Sequence, residues 1–325
     1  MSFRLSGRRL MPALRKPSAA LAALAAALAV VACGGSTSQF ETFIAERVFA
    51  FGDDASALTP EGRNYSVNGV NATSGAIDCN LQPIWVQVVA GYYGLTLAEC
   101  NTATPPATPR AFTRAAPGAR VAEVAAQVQA QAEAGGFRER DLALIFVGVN
   151  DVLELYRQYP AQSEAALIAE AGARGERAAA QVNRLIDLGA KVVVANLPDM
   201  GLSPYARAEA ATHAASGFDR AALISRLTTA FNERLGVRIR IDGRFVGLAQ
   251  MDLRTQQARI SPASFGLSDI STAVCTVPLP ACTTATVVTG VDAPSALWAD
   301  GTRLGIGGQA SLAALALQRA QLNPF

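Results

Sequence analysis

Acidic and amide side chains recur directly after short apolar runs in this chain, and they are the residues best suited to do chemistry. Asp53 and Asp54 follow one run, Asn150 follows another, and Asp300 lies three residues before an arginine. Carboxylates can act as general acids or bases. The chain has a single histidine, His213. A multi-histidine metal site is therefore excluded, and any Ser/His or Cys/His catalysis would need that one residue.

These residues lie where predicted strands end and predicted helices begin. Continuous apolar runs predict buried strands at residues 47–51, 142–147, 191–196 and 248–251. Ala-rich stretches between and after them predict helices at residues 121–134, 164–188, 220–235 and 309–322. This alternation predicts an α/β fold with a doubly wound parallel sheet flanked by helices. Ligands of such folds bind at the carboxyl ends of the strands, where the polar residues lie.

The first 32 residues are predicted to be a lipoprotein signal peptide. Five basic residues precede an apolar run at residues 19–32, which is too short to cross a membrane but typical of a secretory signal. The run ends in VVACGG at residues 30–35, which resembles a bacterial lipobox, so Cys33 is predicted to be acylated and to anchor the chain in a membrane. Gly34 then favours the outer membrane, on its periplasmic or surface face. Residues 33–39 would be the acylated cysteine and a flexible tether.

Removal of the leader changes the charge. The leader contains five of the 28 basic residues and none of the 26 acidic ones, so 23 basic residues face 26 acidic ones and the mature net charge is −3. That charge excludes a nucleic-acid partner, and the half-hydrophobic composition excludes a disordered chain. Residues 40–325 are predicted to form a single domain.

Two loop-rich inserts interrupt the strand and helix pattern, at residues 59–114 and 261–297, and each contains two cysteines. An even number of cysteines in an exported protein predicts disulfides. Of three possible pairings we expect the local one, Cys79–Cys100 with Cys275–Cys282, because it closes short loops. Zinc is the alternative, but the spacings contain no CxxC pair.

The strand-end blocks, taken in order, resemble those of the GDSL (SGNH) family of lipases and esterases. The blocks are FGDDAS at residues 51–56, APGAR at 116–120, GVND at 148–151 and WADGTR at 298–303, and GAKVVVANLP at 189–198 is also similar. The resemblance covers about residues 46–322. It implies an SGNH-hydrolase-like, flavodoxin-like sheet and ester hydrolysis without a metal or cofactor.

Two positions depart from the residues that the resemblance implies. Gly118 and Asn150 match the oxyanion-hole positions, and Asp300 matches the catalytic acid. Asp54 stands where the family has its nucleophilic serine, and Arg303 stands where it has its histidine base. Arginine stays protonated at any usable pH, and a carboxylate has no proton to give up. Neither residue can therefore perform the family's chemistry.

Other residues are poor substitutes for the missing groups. Ser56 lies two residues beyond the nucleophile position and is expected to be a turn or helix N-cap serine. His213 lies in an exposed-looking helical stretch, 90 residues before Arg303. Asp53 and Asp151 are expected to cap helices and hold turns, and the sequence has no EF-hand-type spacing for calcium.

We therefore predict an Asp54–Arg303–Asp300 ion-pair network, charge-assisted and partly bidentate, in place of the Ser–His hydrogen bond. The alternative is a set of unconstrained surface charges. The favoured function is a degenerate, non-catalytic or very weak ester hydrolase, anchored to the outer membrane, that binds an acyl, ester or glycan ligand in a retained pocket. An active GDSL-type esterase, lipase or acyltransferase with a non-standard catalytic group is one alternative function, and a purely structural lipoprotein is another.

Overall fold

The structure is a computed structural model that describes residues 42–102 and 108–325. The predicted signal peptide, the lipidation site at Cys33 and the tether lie outside these residues. Within the two described ranges, no helix is both long and apolar enough to span a bilayer.

Five parallel strands form the central sheet, in the order β2-β1-β3-β4-β5. They are β1 (Arg47–Gly52), β2 (Ala111–Thr113), β3 (Asp141–Phe146), β4 (Lys191–Ala195) and β5 (Val246–Ala249). The predicted doubly wound parallel sheet is confirmed, and this strand order is the flavodoxin-like one. Its topological switch point lies between β1 and β3, where ligands of such folds bind.

Helices pack against the sheet in two groups. They are α1 (Trp85–Tyr92), α2 (Val121–Ala134), α3 (Val149–Tyr156), α4 (Glu164–Asp187), α5 (Pro204–Thr212), α6 (Arg220–Arg238), α7 (Met251–Ile260) and α8 (Ile306–Leu322). Helices α2, α4 and α6 pack side by side as one layer, and α1 packs on α8 as another. Strand residues are therefore buried, which explains the continuous apolar runs in the sequence.

One strand prediction needs correction. The strand predicted at residues 248–251 is β5, which begins at Val246 and ends at Ala249, and Met251 already begins α7, so the predicted strand lies two residues too late. The first insert consists mostly of loops, as expected, and also contains α1 and the edge strand β2. Both elements are short. Strand β2 pairs with β1, and α1 packs on α8.

The predicted disulfide pairing is confirmed. Cys79 is bonded to Cys100 and Cys275 to Cys282, with Cα–Cα distances of 5.5 and 5.7 Å. The inserts that contain them also contact each other, because Asn68 Nδ2 donates a hydrogen bond to the carbonyl oxygen of Cys282 at 3.0 Å.

The second insert also holds the segment that leads to Asp300. Strands β6 (Asp269–Ala273) and β7 (Ala296–Trp298) form a separate two-stranded sheet. Trp298 is fully buried, and its Nε1 donates to the carbonyl oxygen of Ile270 at 3.0 Å. This anchors the chain two residues before Asp300.

Candidate active site

Asp54 lies directly after β1, at the switch point of the sheet. The turn begins at Gly52, which has a φ of +130° and whose backbone lies so close to β3 that a Cβ would be 1.8 Å from the carbonyl oxygen of Phe146. Only glycine permits this approach. The chain then turns sharply into a single 3-10 turn, Asp54–Ser56, in which Asp54 is 5% exposed.

The two predicted oxyanion-hole donors converge on one oxygen of Asp54. Asp54 Oδ2 accepts hydrogen bonds from the Gly118 backbone N–H at 2.8 Å and from Asn150 Nδ2 at 3.2 Å. Gly118 has a φ of +75°, and Asn150 lies in the first turn of α3, just beyond β3. The carboxylate oxygen therefore occupies the place where these donors would meet a substrate oxygen.

The predicted contact between Asp54 and Arg303 is present. Arg303 Nε donates to Asp54 Oδ1 at 2.8 Å, and Arg303 Nη1 donates to Asp300 Oδ2 at 2.7 Å. The expectation of a partly bidentate pair is wrong, because the guanidinium divides its donors between the two carboxylates. The other oxygen of Asp300 accepts from the backbone N–H groups of Thr302 and Arg303, which holds the loop in place.

The network keeps Arg303 charged. Burial lowers the pKa of Arg303, but the Asp54 and Asp300 carboxylates more than offset that effect and the pKa lies above its ordinary value. The Arg303 side chain is 34% exposed and that of Asp54 only 6%. Arg303 is therefore a fixed cation at the base position and not a proton acceptor.

Two further acids near Asp54 have the structural roles expected of them. Asp53 accepts the Ala55 N–H at 3.1 Å, while Oδ2 of Asp53 has no hydrogen-bond partner among the described residues. Burial, and then the charge of Asp54, raise the pKa of Asp53 well above its ordinary value. Asp151 accepts the Val121 N–H at the start of α2, at 3.0 Å. Burial raises the pKa of Asp151 to about 6.

Ser56 and His213 lie outside the reacting geometry. Ser56 is fully buried, and its hydroxyl oxygen accepts from Trp85 Nε1 at 3.0 Å. It is thus a turn residue that holds α1, and not a helix N-cap. His213 is at the end of α5, with Nε2 3.6 Å from Glu209 Oε2, and it is not among the described residues that line the space beside Asp54.

Sequence reasoning did not single out Gln309, which supports the turn that contains Asp54. It is 2% exposed, its Oε1 accepts from the Trp85 N–H at 3.1 Å, and its Nε2 donates to the Ala55 carbonyl oxygen at 3.3 Å. A lone glutamine in the last helix has no sequence pattern that would predict this role, because the contact spans 254 residues of the chain.

The space beside Asp54 and Arg303 is smaller than the ligand pocket that was expected. Its volume is about 20 Å³, which is room for one water molecule. A cavity of about 430 Å³ lies elsewhere, between α6 and α7. There Asp199 already accepts hydrogen bonds from Ser225 and Gln256.

The side chains that could bind a metal ion are dispersed in the described part of the chain. In residues 42–102 and 108–325, no group of three or more His, Cys, Asp or Glu side chains is arranged to hold a metal ion.

Comparison with known proteins identifies the family. The family model described as GDSL-like Lipase/Acylhydrolase matches residues 48–269, which is more than half of the chain. The chain belongs to this family. The match includes Asp54, Gly118 and Asn150 but ends before Asp300 and Arg303, so the assignment of these two to the acid and base positions rests on their motif and on their contact with Asp54.

Solved structures of esterases are similar to the chain at low sequence identity. The acetyl xylan esterase AlAXEase is 11% identical, with 84% of this chain and 98% of that one covered and a TM-score of 0.44. The acetylxylan esterase Axe2 from Geobacillus stearothermophilus is 12% identical, with coverage of 87% and 97% and a TM-score of 0.44. TesA is 15% identical, with coverage of 84% and 97% and a TM-score of 0.38. No curated protein matches the chain.

Proposed function

We propose that this chain is a non-hydrolytic member of the GDSL family that is exported and anchored to the outer membrane by acyl chains on Cys33. One observation is the main support for the proposed loss of hydrolysis. Asp54 Oδ2 accepts from both Gly118 and Asn150, at 2.8 and 3.2 Å, while Asp54 Oδ1 accepts from Arg303. The donors that would stabilise the oxyanion of an ester transition state bind the protein's own carboxylate instead.

The residues around Asp54 offer no replacement for the missing chemistry. Attack on an ester needs a hydroxyl and a base with a pKa near the working pH. Arg303 keeps its proton, and the buried Ser56 hydroxyl is engaged by Trp85. The alternative of an active esterase, lipase or acyltransferase with a non-standard catalytic group therefore gains no support from this geometry.

We infer a structural role for the closed site. The network joins four segments that are distant in sequence: the turn after β1, the loop at Gly118, the start of α3 and the loop that ends at Arg303. The acyl, ester or glycan ligand expected in the pocket would have to separate Asp54 from Arg303 first. The geometry thus favours the structural lipoprotein over the ligand-binding protein.

Export and anchoring are supported by separate observations. The two disulfides favour an oxidising compartment. The lipobox-like sequence at residues 30–35 follows a basic leader and an apolar run. The mass of the mature chain, isolated from membranes of a Gram-negative host, tests this part. We expect a diacylglycerol mass on the chain that disappears in Cys33→Ser, and an unmodified Cys33 would refute the anchor.

Hydrolysis of p-nitrophenyl acetate and butyrate by the mature chain tests the loss of activity. We expect no turnover above the buffer rate for the unaltered chain. The double variant Asp54→Ser/Arg303→His restores the family's nucleophile and base, and its control is Asp54→Ala/Arg303→His, which has the same base but no nucleophile. We expect turnover in the first variant only. Turnover by the unaltered chain that a serine-directed phosphonate abolishes would overturn the proposal.

A further inference from the structure

Four aromatic rings and two aliphatic side chains lie near the first described residue, and we call this group the aromatic patch. Three ring contacts define it: Phe43 with Tyr93, Phe43 with Phe325 and Tyr92 with Tyr93, at centroid distances of 6.1, 5.5 and 5.0 Å. The two aliphatic residues are neighbours of these rings in sequence, Ile44 next to Phe43 and Leu322 three residues before Phe325. Ile44, Tyr92 and Leu322 are 57%, 52% and 73% exposed, whereas Phe43, Tyr93 and Phe325 are partly buried against the core.

The aromatic patch lies at the end of the body opposite Asp54. Strand β1 begins at Arg47, just after Ile44, and runs towards Asp54. Helices α1 and α8 run the other way: they begin at Trp85 and close to Gln309, which contact the Asp54 turn, and end at the patch. The 17 residues of α8 span about 25 Å at 1.5 Å per residue. The patch and the site are therefore separated by about the length of that helix.

The composition of the patch suits the interface of a lipid bilayer. Its six residues comprise four rings and two aliphatic side chains, and none of them is charged. Tyrosine combines an apolar ring with a polar hydroxyl and is enriched where membranes meet water. Scattered exposed apolar residues are normal on soluble proteins, but exposed apolar residues grouped around joined aromatic rings suit a contact surface.

The position of the patch points to the same partner. Phe43 and Ile44 directly follow Thr42, and Cys33 precedes Thr42 by nine residues. Nine residues span at most about 30 Å when fully extended. A lipid on Cys33 therefore keeps the patch within that distance of the bilayer, and the tether joins the body at the patch end and not at the Asp54 end.

We propose that the aromatic patch is the surface by which this protein rests on a phospholipid bilayer, with the Asp54 end facing away from the membrane. This inference depends on the proposed anchoring through Cys33. Its test must therefore distinguish a chain that is not acylated in the cell from a patch that does not touch lipid.

A chemically attached lipid separates these two failures. The other four cysteines form disulfides, so Cys33 is the thiol available for a maleimide-phospholipid on the mature chain. The anchored protein is placed in phosphatidylethanolamine/phosphatidylglycerol vesicles that contain a phospholipid with a diazirine near its headgroup. Illumination followed by peptide mass spectrometry then maps the lipid-contacting residues, whatever the natural state of Cys33.

Two matched variants compare lipid crosslinking at the aromatic patch with crosslinking at another exposed surface. Ile44→Ser/Leu322→Ser removes one isoleucine and one leucine from the patch, and Leu253→Ser/Ile260→Ser removes the same pair, 51% and 81% exposed, from α7. We expect peptides of the patch to carry most of the crosslinks, and the patch variant to lower the crosslink yield about fivefold while the α7 variant leaves it unchanged. Equal crosslinking of both regions, or equal losses in both variants, would overturn the inference.

Discussion

Replacing Asp54 with asparagine tests the closed site by changing one heavy atom, a carboxylate oxygen that becomes an NH₂ group. Asp54 uses Oδ2 for two donors, Gly118 and Asn150, and Oδ1 for a third, Arg303. Asparagine has one oxygen and one NH₂ group, so in either orientation its NH₂ faces a donor. Asp54→Asn therefore removes the ion pair and leaves donors without acceptors in a nearly buried position.

The expected cost follows from these contacts. Breaking a fully buried ion pair costs about 3–5 kcal/mol, and a hydrogen bond to a charged group contributes about 1.5–3 kcal/mol. The Arg303 side chain is 34% exposed and keeps its contact with Asp300, so solvent and Asp300 offset part of the loss. We expect Asp54→Asn to lower the free energy of unfolding by about 2–3 kcal/mol, and to lower the Tm by about 5 °C for a body of this size.

The adjacent residue supplies the control. Asp53 is buried as well, and burial raises its pKa well above the ordinary value, so no ion pair stabilises its charged form. Asp53→Asn keeps an oxygen for the Ala55 N–H and leaves the contact between Asp54 and Arg303 in place. We expect a change below about 1 kcal/mol.

The free energies of unfolding of both variants are measured by urea unfolding at pH 7. The signal is the fluorescence of the two buried tryptophans, Trp85 and Trp298. A cost below about 0.5 kcal/mol for Asp54→Asn would show that the network does not stabilise the fold. An equal cost for Asp53→Asn would show that the charge of Asp54 is irrelevant. Either result would refute the reasoning.

Two further predictions concern the fold around the site. Because the folded-state pKa of Asp151, about 6, lies above its unfolded value, its contribution to stability is present below about pH 4 and is lost as the pH rises through about 6. Asp151→Asn lacks this pH dependence. In urea unfolding, the free energy of unfolding of Asp151→Asn minus that of the unaltered chain should therefore rise by about 2–3 kcal/mol from pH 4 to pH 7. A difference that is the same at both pH values would contradict this. In α4, a Cβ at Gly175 would lie 2.2 Å from a carbonyl oxygen of α6, whereas one at Gly172 would meet a flexible side chain at 3.2 Å. Gly175→Ala should therefore lower the free energy of unfolding by about 2 kcal/mol or more, while Gly172→Ala should change it by less than about 1 kcal/mol. Equal effects of the two alanines in urea unfolding would show that α4 and α6 do not pack this closely.

Membership of the GDSL family does not by itself assign ester hydrolysis to this chain. A family fold carries an activity only when the reacting groups are present. Here Gly118 and Asn150 keep the family's positions, but the partner they bind is Asp54 of the same chain. In the proposed function, these donors stabilise the fold instead of a transition state.

Much of the fold could be predicted from the sequence because local pattern and burial agree. The apolar runs of β1, β3 and β4 are buried on both faces of the sheet, which makes them continuous and easy to recognise. The strand β2 could not be predicted, since a three-residue edge strand has no periodicity of its own and depends on its pairing with β1.

The sequence by itself determined which residue types are available for chemistry. The chain has one histidine, and Asp54 and Arg303 stand where the resemblance to the family predicts the nucleophile and the base, which is the basis of the proposed loss of hydrolysis. The alternation of strands and helices placed these residues at one edge of a sheet, and the spacing of the cysteines favoured the pairing that forms.

Only the tertiary structure decided what the remaining groups do. It brings Arg303 to Asp54 across 249 residues and Gly118 to Asp54 across 64, and it divides the guanidinium between two carboxylates. It also reduces the expected pocket to about 20 Å³. Hydrogen-bond partners, exposure and cavity volume depend on atoms that are distant in sequence, so a local pattern contains no information about them. The resemblance to the family supplied the information from which the contact between Asp54 and Arg303 was predicted, whereas the hydrogen bonds from Gly118 and Asn150 to Asp54 became evident only in three dimensions.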